Sequence, residues 1–302
     1  MRAIATIHLV IEERILPALC ARLAAALAPP GVALVPFDVD GMRVGELTVE
    51  RAQRAAAFRD GLALDGDRLG FADACATFEA RSSALARIAR ALAAEGALTA
   101  WRDERYDVRA SDAHPVVCVL ERAAARYFGI RPRAVHVNGL VETAGGAAMW
   151  IARRSPSKAI DAGLLDNLVG GGIASGTGIV DTLVKEAWEE AGIDASVART
   201  ARAAGALHIR RLQPDGLQHE TILVHDLWLP RDFVPANRDG EAVEHRLWPL
   251  PALPALLAND TGADVLTADA SLVALDALIR LGAIDADDPF YPWLAALCGA
   301  GR

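Results

Sequence analysis

Apolar and polar positions alternate with two different periods along the chain, and the switches between them predict an α/β protein. From Glu12 to Ala28 apolar residues recur at helical spacing, an amphipathic helix kinked or started at Pro17 and ended by Pro29, Pro30 and Gly31. Val32 to Val39 has strand character, and Gly41 to Gly45 reads as a turn. Helical spacing returns over Val49 to Arg59 and Ser82 to Glu95, with Gly61 and Gly96 beyond their far ends. Thr99 to Val108 alternates as a pair of strands would, and Pro115 to Phe128 contains a further helix closed by Gly129. Arg131-Pro132-Arg133 reads as a boundary, so residues 1–131 are expected to form a smaller α+β domain and 132–302 a second domain ending in helices.

In the second part, Ala134 to Val141 and Ala148 to Arg153 read as strands around a Gly145-Gly146 turn. Asp166 to Val169 then leads into a glycine-rich turn and a helix. Ala206 to Gln213, Glu220 to Leu229 and Glu244 to Pro249 are the next strands, followed by helices over Ala270 to Leu281 and near Pro292 to Cys298. No repeat or low-complexity tract interrupts this order.

Composition narrows the class. The 302 residues are long enough for a sizeable buried core, and the 53% hydrophobic content is inflated by alanine. No run of 18 or more apolar residues occurs, so no membrane-spanning helix is expected. Glu12, Glu13 and Arg14 follow a short apolar stretch, which does not suit a signal peptide, and the expected location is cytoplasmic. Cys20, Cys75, Cys118 and Cys298 lack paired spacing and read as reduced core thiols. A net charge of −8 argues against a general nucleic-acid binder while leaving room for an anionic small molecule in one locally cationic pocket. Monomer and homodimer both stay open.

The chemistry concentrates between Gly170 and Ile193. Glu186, Glu189 and Glu190 are spaced i, i+3 and i+4, so a helix places them on one face, within about 100° of arc. Val180, Leu183, Ala187 and Ala191 form a second cluster suited to packing. Neighbouring carboxylates repel one another unless a cation lies between them, and oxygen ligands suit Mg²⁺ or Mn²⁺. The preceding glycines let backbone approach a ligand, and Gly170 could offer a carbonyl to the metal. A solvated acidic helix face is the commoner meaning of three such glutamates alone.

The whole stretch, however, resembles the Nudix box, G-x5-E-x7-R-E-U-x-E-E-x-G-U with U aliphatic. Gly171, Glu186, Glu189, Glu190, Gly192 and Ile193 fall on its positions, Lys185 replaces the arginine, Ala187 the aliphatic residue, and Thr177 the first glutamate. The resemblance implies an α/β/α Nudix sandwich with a mixed sheet, a divalent metal (Mg²⁺ or Mn²⁺) held by the three glutamates, and hydrolysis of a diphosphate linked to another moiety. Lys185 keeps the charge that orients a glutamate but loses the planar fork of arginine, and Thr177 could cap the helix instead of supporting the loop. Further runs narrow the likeness: His136-Val-Asn-Gly139, Trp150 to Ser155, Lys158, Leu165 to Ala174, Trp101 to Tyr106, Glu121-Arg122, Arg231 to Pro235 and Asp239-Gly-Glu241. These are similar to Nudix proteins related to the N-terminal part of fungal thiamin pyrophosphokinase, which carry a domain ahead of the Nudix domain. That subgroup is implicated in cleaving thiamin diphosphate and its oxidised or damaged analogues to monophosphates. The alternatives are a Nudix hydrolase of nucleotide sugars, ADP-ribose or nucleoside di- and triphosphates, and a binding module without turnover.

Other positions are candidates with ordinary alternatives beside them. Glu241 and Glu244 follow the box and could take a proton from water, or be solvated turn residues; Glu220 is a weaker third. Arg153, Arg154 and Lys158 could hold phosphate oxygens, or end a strand in water. Asn138 and Asn167 would border the pocket on the subgroup likeness, or shape turns. Trp101, Arg102, Glu104 and Tyr106 are the N-terminal candidates for choosing the organic moiety, by stacking and charge pairing, with a domain anchor as the alternative for Trp101. His136 is expected to be structural, and Trp150 and Trp188 to pack.

Overall fold

The structure, a computed structural model, describes residues 14–299, so the expected helix start at Glu12 lies outside the described residues. Helix α1 (Ile15–Ala26) accommodates Pro17 in its first turn, where a missing N–H costs nothing. Strands β1 (Leu34–Val39) and β2 (Met42–Thr48) form a hairpin around Asp40 and Gly41, both at positive φ. The expected turn over Gly41 to Gly45 is thus shorter, because Val44 and Leu47 continue as buried strand positions. Thr48 caps helix α2 (Val49–Ala56) by accepting from Arg51 N–H. A hairpin of β3 (Leu62–Asp65) and β4 (Arg68–Phe71) follows, and β4 lies parallel to β1, giving the sheet order β2-β1-β4-β3. The tight turn of this hairpin follows Asp65, with Gly66 at positive φ, a residue suited to a tight hairpin. Helix α3 (Phe78–Ala94), capped by Thr77, covers the sheet with Leu85, Ile88 and Leu92.

The next stretch differs most from expectation. Only Arg105–Val108 (β5) of the expected strand pair is strand, and its partner is β6 (Cys118–Glu121), inside the expected helix. Val117 to Leu120 is a continuous buried apolar run, a pattern that leaves helix and strand undecided, and tertiary pairing settles it. Helix is confined to a short turn and α4 (Ala125–Phe128), closed by left-handed Gly129. A β-carbon on Gly129 would lie 1.9 Å from the Glu46 carbonyl oxygen, so this close approach also requires glycine.

From β7 (Arg133–Thr143) onward a mixed sheet is built with β8 (Gly146–Arg154), β9 (Leu165–Asn167) and β10 (Val169–Gly172). Helices α5 (Ile179–Ala191) and α6 (Ala195–Ala198) lead to β11 (Arg202–Gln213), β12 (Gly216–Leu229) and β13 (Ala242–Pro249), and α7 (Leu253–Leu257), α8 (Ala268–Arg280) and α9 (Tyr291–Leu297) finish the fold. The order is β11-β12-β7-β8-β13, with β12 parallel to β7, β10 paired to β7 and β9 to β8. Val135, Val137 and Val141 alternate onto the α5 side, where Leu183, Ala187 and Ala191 pack. Leu140, Ile222 and Val224 face the other way, against α8. Helices thus cover both faces, the expected α/β/α sandwich with a smaller α+β unit ahead of it. Leu16, Leu19 and Leu23 of α1 also join this second core, so the first helix packs apart from the sheet that follows it.

Candidate active site

Helix α5 starts at an uncapped Gly178 after a left-handed turn at Gly176. Thr177 N–H bonds back to Ala174, and its side chain does not cap the helix as expected. Asp181 instead places a carboxylate in the positive first turn. Left-handed Gly192 ends the helix. The buried face is Thr182, Leu183, Ala187 and Ala191; Val180, expected there, is 49% exposed. Trp188, expected to pack, is 43% exposed, with the Arg238 guanidinium 3.9 Å above its ring.

The three glutamates differ in surroundings. Glu186 lies against Gly171, where any β-carbon would come within 2.4 Å of its carboxyl carbon. Glu190 accepts from Gly170 N–H at 2.8 Å, so Gly170 presents a donor to the box carboxylate. Glu189 is the most exposed, and Lys185 Nζ bridges it (2.7 Å) to Glu186 (3.1 Å). Burial pushes Glu186 above the usual carboxylate range despite Lys185. Burial pushes Glu190 well above it, with Glu186 and Asp166 adding repulsion that the Gly170 hydrogen bond does not offset. Among the described residues no three His, Cys, Asp or Glu side chains are gathered tightly enough to enclose a metal ion as they stand. The donor set nevertheless fits a hard divalent cation: oxygen ligands only, two whose charged forms burial disfavours, and an ammonium already bridging two of the three.

Strand β10 is the wall between these glutamates and a cleft of about 200 Å³. Gly171 faces α5, whereas Gly170 and Gly172 face the cleft, where their β-carbons would strike His136 and the Tyr106 hydroxyl. The N-terminal unit supplies Arg102, Tyr106 and Arg122 to the lining, and the sandwich supplies His136, Arg154, Lys158, Asp166 and Glu220. Burial pushes the Tyr106 hydroxyl up, and the Arg122 guanidinium lies 5.6 Å from its ring centre. At the mouth, Lys158 pairs with Glu241, which Arg102 also reaches at 3.3 Å. Burial opposes charge on Glu241, but Lys158 and Arg102 outweigh it and hold this carboxyl below its usual range. Arg154 pairs with Asp166 at 2.6 Å and with the carbonyls of Ile160 and Asp161. Trp101 lines the mouth while packing on the N-terminal core, its indole N–H given to Asp103. Asn167 is buried against His136.

Four expected site residues are placed elsewhere. Arg153 and Arg154 alternate across β8, and Arg153 is spent on Glu244 (2.8 Å), Asp264 (2.5 Å) and two carbonyls. Glu244 is held by Arg153 and Arg246 on the outer side of β13, away from the cleft. Asn138 faces α8, where it donates to Asp226, the partner of Arg280. Glu104 is occupied by Arg122 at 2.6 Å and serves to position that arginine. Arg122, expected only as part of a subgroup run, also lines the cleft, as do Gln218 and Asp269, which no motif indicates. A signal existed: Gln218 and Glu220 share their strand face with Ile222 and Val224, and polar residues on a core-facing row mark a pocket.

A mixed sheet between helices, with clustered helix carboxylates behind a glycine strand and a charged cleft in front, is the architecture of the Nudix fold class. The NUDIX domain model matches residues 131–293, and a Domain of unknown function (DUF4743) matches residues 29–132. The chain belongs to the NUDIX family. It is 38% identical over 213 residues to Nudix hydrolase 20, chloroplastic, and 39% identical over 214 residues to Nudix hydrolase 24, chloroplastic, both of Arabidopsis thaliana. Those matches cover 70% of this chain but 56% and 58% of the relatives, a little over half their length. DR0079 of Deinococcus radiodurans, a solved structure, superposes with a TM-score of 0.42 at 23% identity, over 56% of this chain and 97% of that one. No described helix is long and apolar enough to cross a membrane.

Proposed function

We propose that this chain is a divalent-metal-dependent pyrophosphohydrolase that cleaves a diphosphate attached to an organic moiety. The observation that carries the reading is the pairing of undercompensated Glu186 and Glu190 with the cationic mouth of an inter-domain cleft, one glycine strand away. Glu186, Glu189 and Glu190 would hold Mg²⁺ or Mn²⁺, which when bound neutralises the diphosphate and favours attack at phosphorus. Arg102, Arg154 and Lys158 bind the remaining phosphate oxygens. A diphosphate competing for Lys158 and Arg102 would loosen their hold on Glu241, leaving that carboxylate free to take the proton of the attacking water. Water adds to phosphorus, the bridging P–O bond breaks, and the departing phosphate keeps the electron pair.

The organic moiety proposed is that of thiamin diphosphate or an oxidised or damaged analogue. The subgroup sequence runs support this, as does a cleft offering the Tyr106 ring and the carboxyls of Glu220 and Asp269, the latter 3.8 Å from Arg211. Nucleotide sugars, ADP-ribose and nucleoside triphosphates are the competing substrates. Formation of the monophosphate product with Mg²⁺ across thiamin diphosphate, its oxidised analogues, ADP-ribose, a nucleotide sugar and a nucleoside triphosphate tests the choice. Preference for the thiamin compounds is expected; preference for a nucleotide keeps the chemistry and removes the substrate. Silence with metal binding intact removes the enzyme reading.

A further inference from the structure

Asn167 carries a buried hydrogen-bond donor without a partner among the described residues, and it lines a void together with Glu190 of the box. Its side chain is 3% exposed on β9, and its Oδ1 lies 2.8 Å from His136 Nδ1. An amide oxygen only accepts, so in this orientation His136 Nδ1 is the donor of the pair. With Oδ1 on His136, Nδ2 lies on the other side of the amide, and nothing among the described residues accepts from it. A strand position needing only bulk would be filled by an aliphatic side chain, since burying an unsatisfied amide N–H is costly. Asn167 borders a void of about 10 Å³ whose other polar lining is Arg154, Lys158, Asp166, Glu190 and Glu241. That volume is close to the smallest that admits a single water.

The charges around the void decide what fits. Arg154 and Lys158 on this lining are already paired with Asp166 and Glu241, and the void has room for no more than a water, so a neutral molecule that accepts from one side and donates to the other suits it. We infer that Asn167 Nδ2–H holds one water between itself and the carboxylates of Glu190 and Glu241, and that this water is the nucleophile of the proposed hydrolysis. The inference rests on the pyrophosphohydrolase reading for the second half only. Accepting from Asn167 and donating to both carboxylates leaves the water one lone pair for phosphorus. On attack the new P–O bond forms, the bridging P–O bond breaks with its electrons on the leaving phosphate, and one water proton passes to Glu241. Asn167 thereby acts on orientation, a contribution that loss of alignment can erase by about 10²-fold.

Two measurements test this. A wild-type crystal structure fine enough to place waters should show one within hydrogen-bond distance of Asn167 Nδ2 and of Glu190 or Glu241. Asn167→Asp, which keeps an acceptor for His136, and Asn167→Ala should both lose that water. In the same variants kcat should fall about 100-fold, with KM within about twofold of wild type. A wild-type site without the water, or folded variants that retain wild-type kcat, would overturn the inference. The water seen in wild-type crystals while the whole substrate panel stays silent would uphold the site and reject only the hydrolase reading. Should both variants fail to fold, the wild-type crystal structure still decides.

Discussion

The two edges of the β8–β13 ladder use the same residue types for opposite ends. On the inner edge Arg154, Lys158 and Glu241 surround a cleft, and their ion pairs are ones a phosphate could exchange into. On the outer edge Arg153, Glu244, Arg246 and Asp264 satisfy one another and leave nothing for a ligand. Neighbouring arginines and glutamates three residues apart thus divide between chemistry and surface cohesion. What separates them is strand alternation together with the N-terminal unit, whose Arg102 reaches only the inner side. Charge type does not distinguish a site here; the compensation each charge receives does.

The sharpest way to break the contrast is to alter the carboxyl with least compensation. Glu190→Gln keeps an acceptor for Gly170 N–H but removes the charge, and most turnover should be lost. The same variant should melt higher than wild type at pH 8 in chelator. The sign follows from burial raising the folded value of Glu190 above its ordinary 4.5. Such a group contributes stability that is fully present below the unfolded value and is lost as pH rises through the folded one. The melting advantage should therefore vanish below about pH 4.5, where the side chain is protonated folded and unfolded alike. Calorimetry across pH checks it; a variant less stable than wild type at pH 8 would remove the undercompensated-carboxyl argument.

Next in size is the exchangeable pair. Lys158→Ala should raise KM for a diphosphate about tenfold, the equivalent of about 1.4 kcal/mol. It should also raise the acid limb of the pH–rate profile, because Lys158 is what holds Glu241 below its usual range. An unshifted limb would detach Glu241 from proton transfer.

Much of this was legible beforehand, and the gaps have physical causes. The i, i+3, i+4 glutamates and the terminal Gly192 are local features of one helix, and local spacing reports them directly. The strand alternation also separated Arg153 from Arg154, but nothing local tells which of two faces an independent unit will cover. Asn138 and Asn167 are both asparagines on strands near the box, yet only Asn167 borders the box carboxyls. Asn138 is claimed by Asp226, 88 residues away, which no pattern around Asn138 announces. The region from Val117 to Leu120 failed for a different reason: a fully buried run shows neither period. Thr177 failed because capping depends on where the preceding chain turns, and Gly176 turns it one residue too early for a threonine cap.

The smallest expected effect tests the outer edge. Arg153→Ala removes ion pairs to Glu244 and Asp264 and the two carbonyl contacts, all on a surface where water screens the charges. Exposed pairs of this kind are each worth about 0.2–1 kcal/mol, so the melting point should fall by only a few degrees. Glu244→Gln should fall less, since Arg246 retains Asp264. Neither should change kcat/KM beyond about twofold, because neither side chain reaches the cleft, and surface changes away from a site are usually that small. The comparison is strict because Arg154→Ala, one residue along the same strand, should raise KM while its neighbour does not. If Arg153→Ala raised KM as far as Arg154→Ala, the phosphate would have to lie across β8 from the cleft, and the outer network would be a binding surface after all.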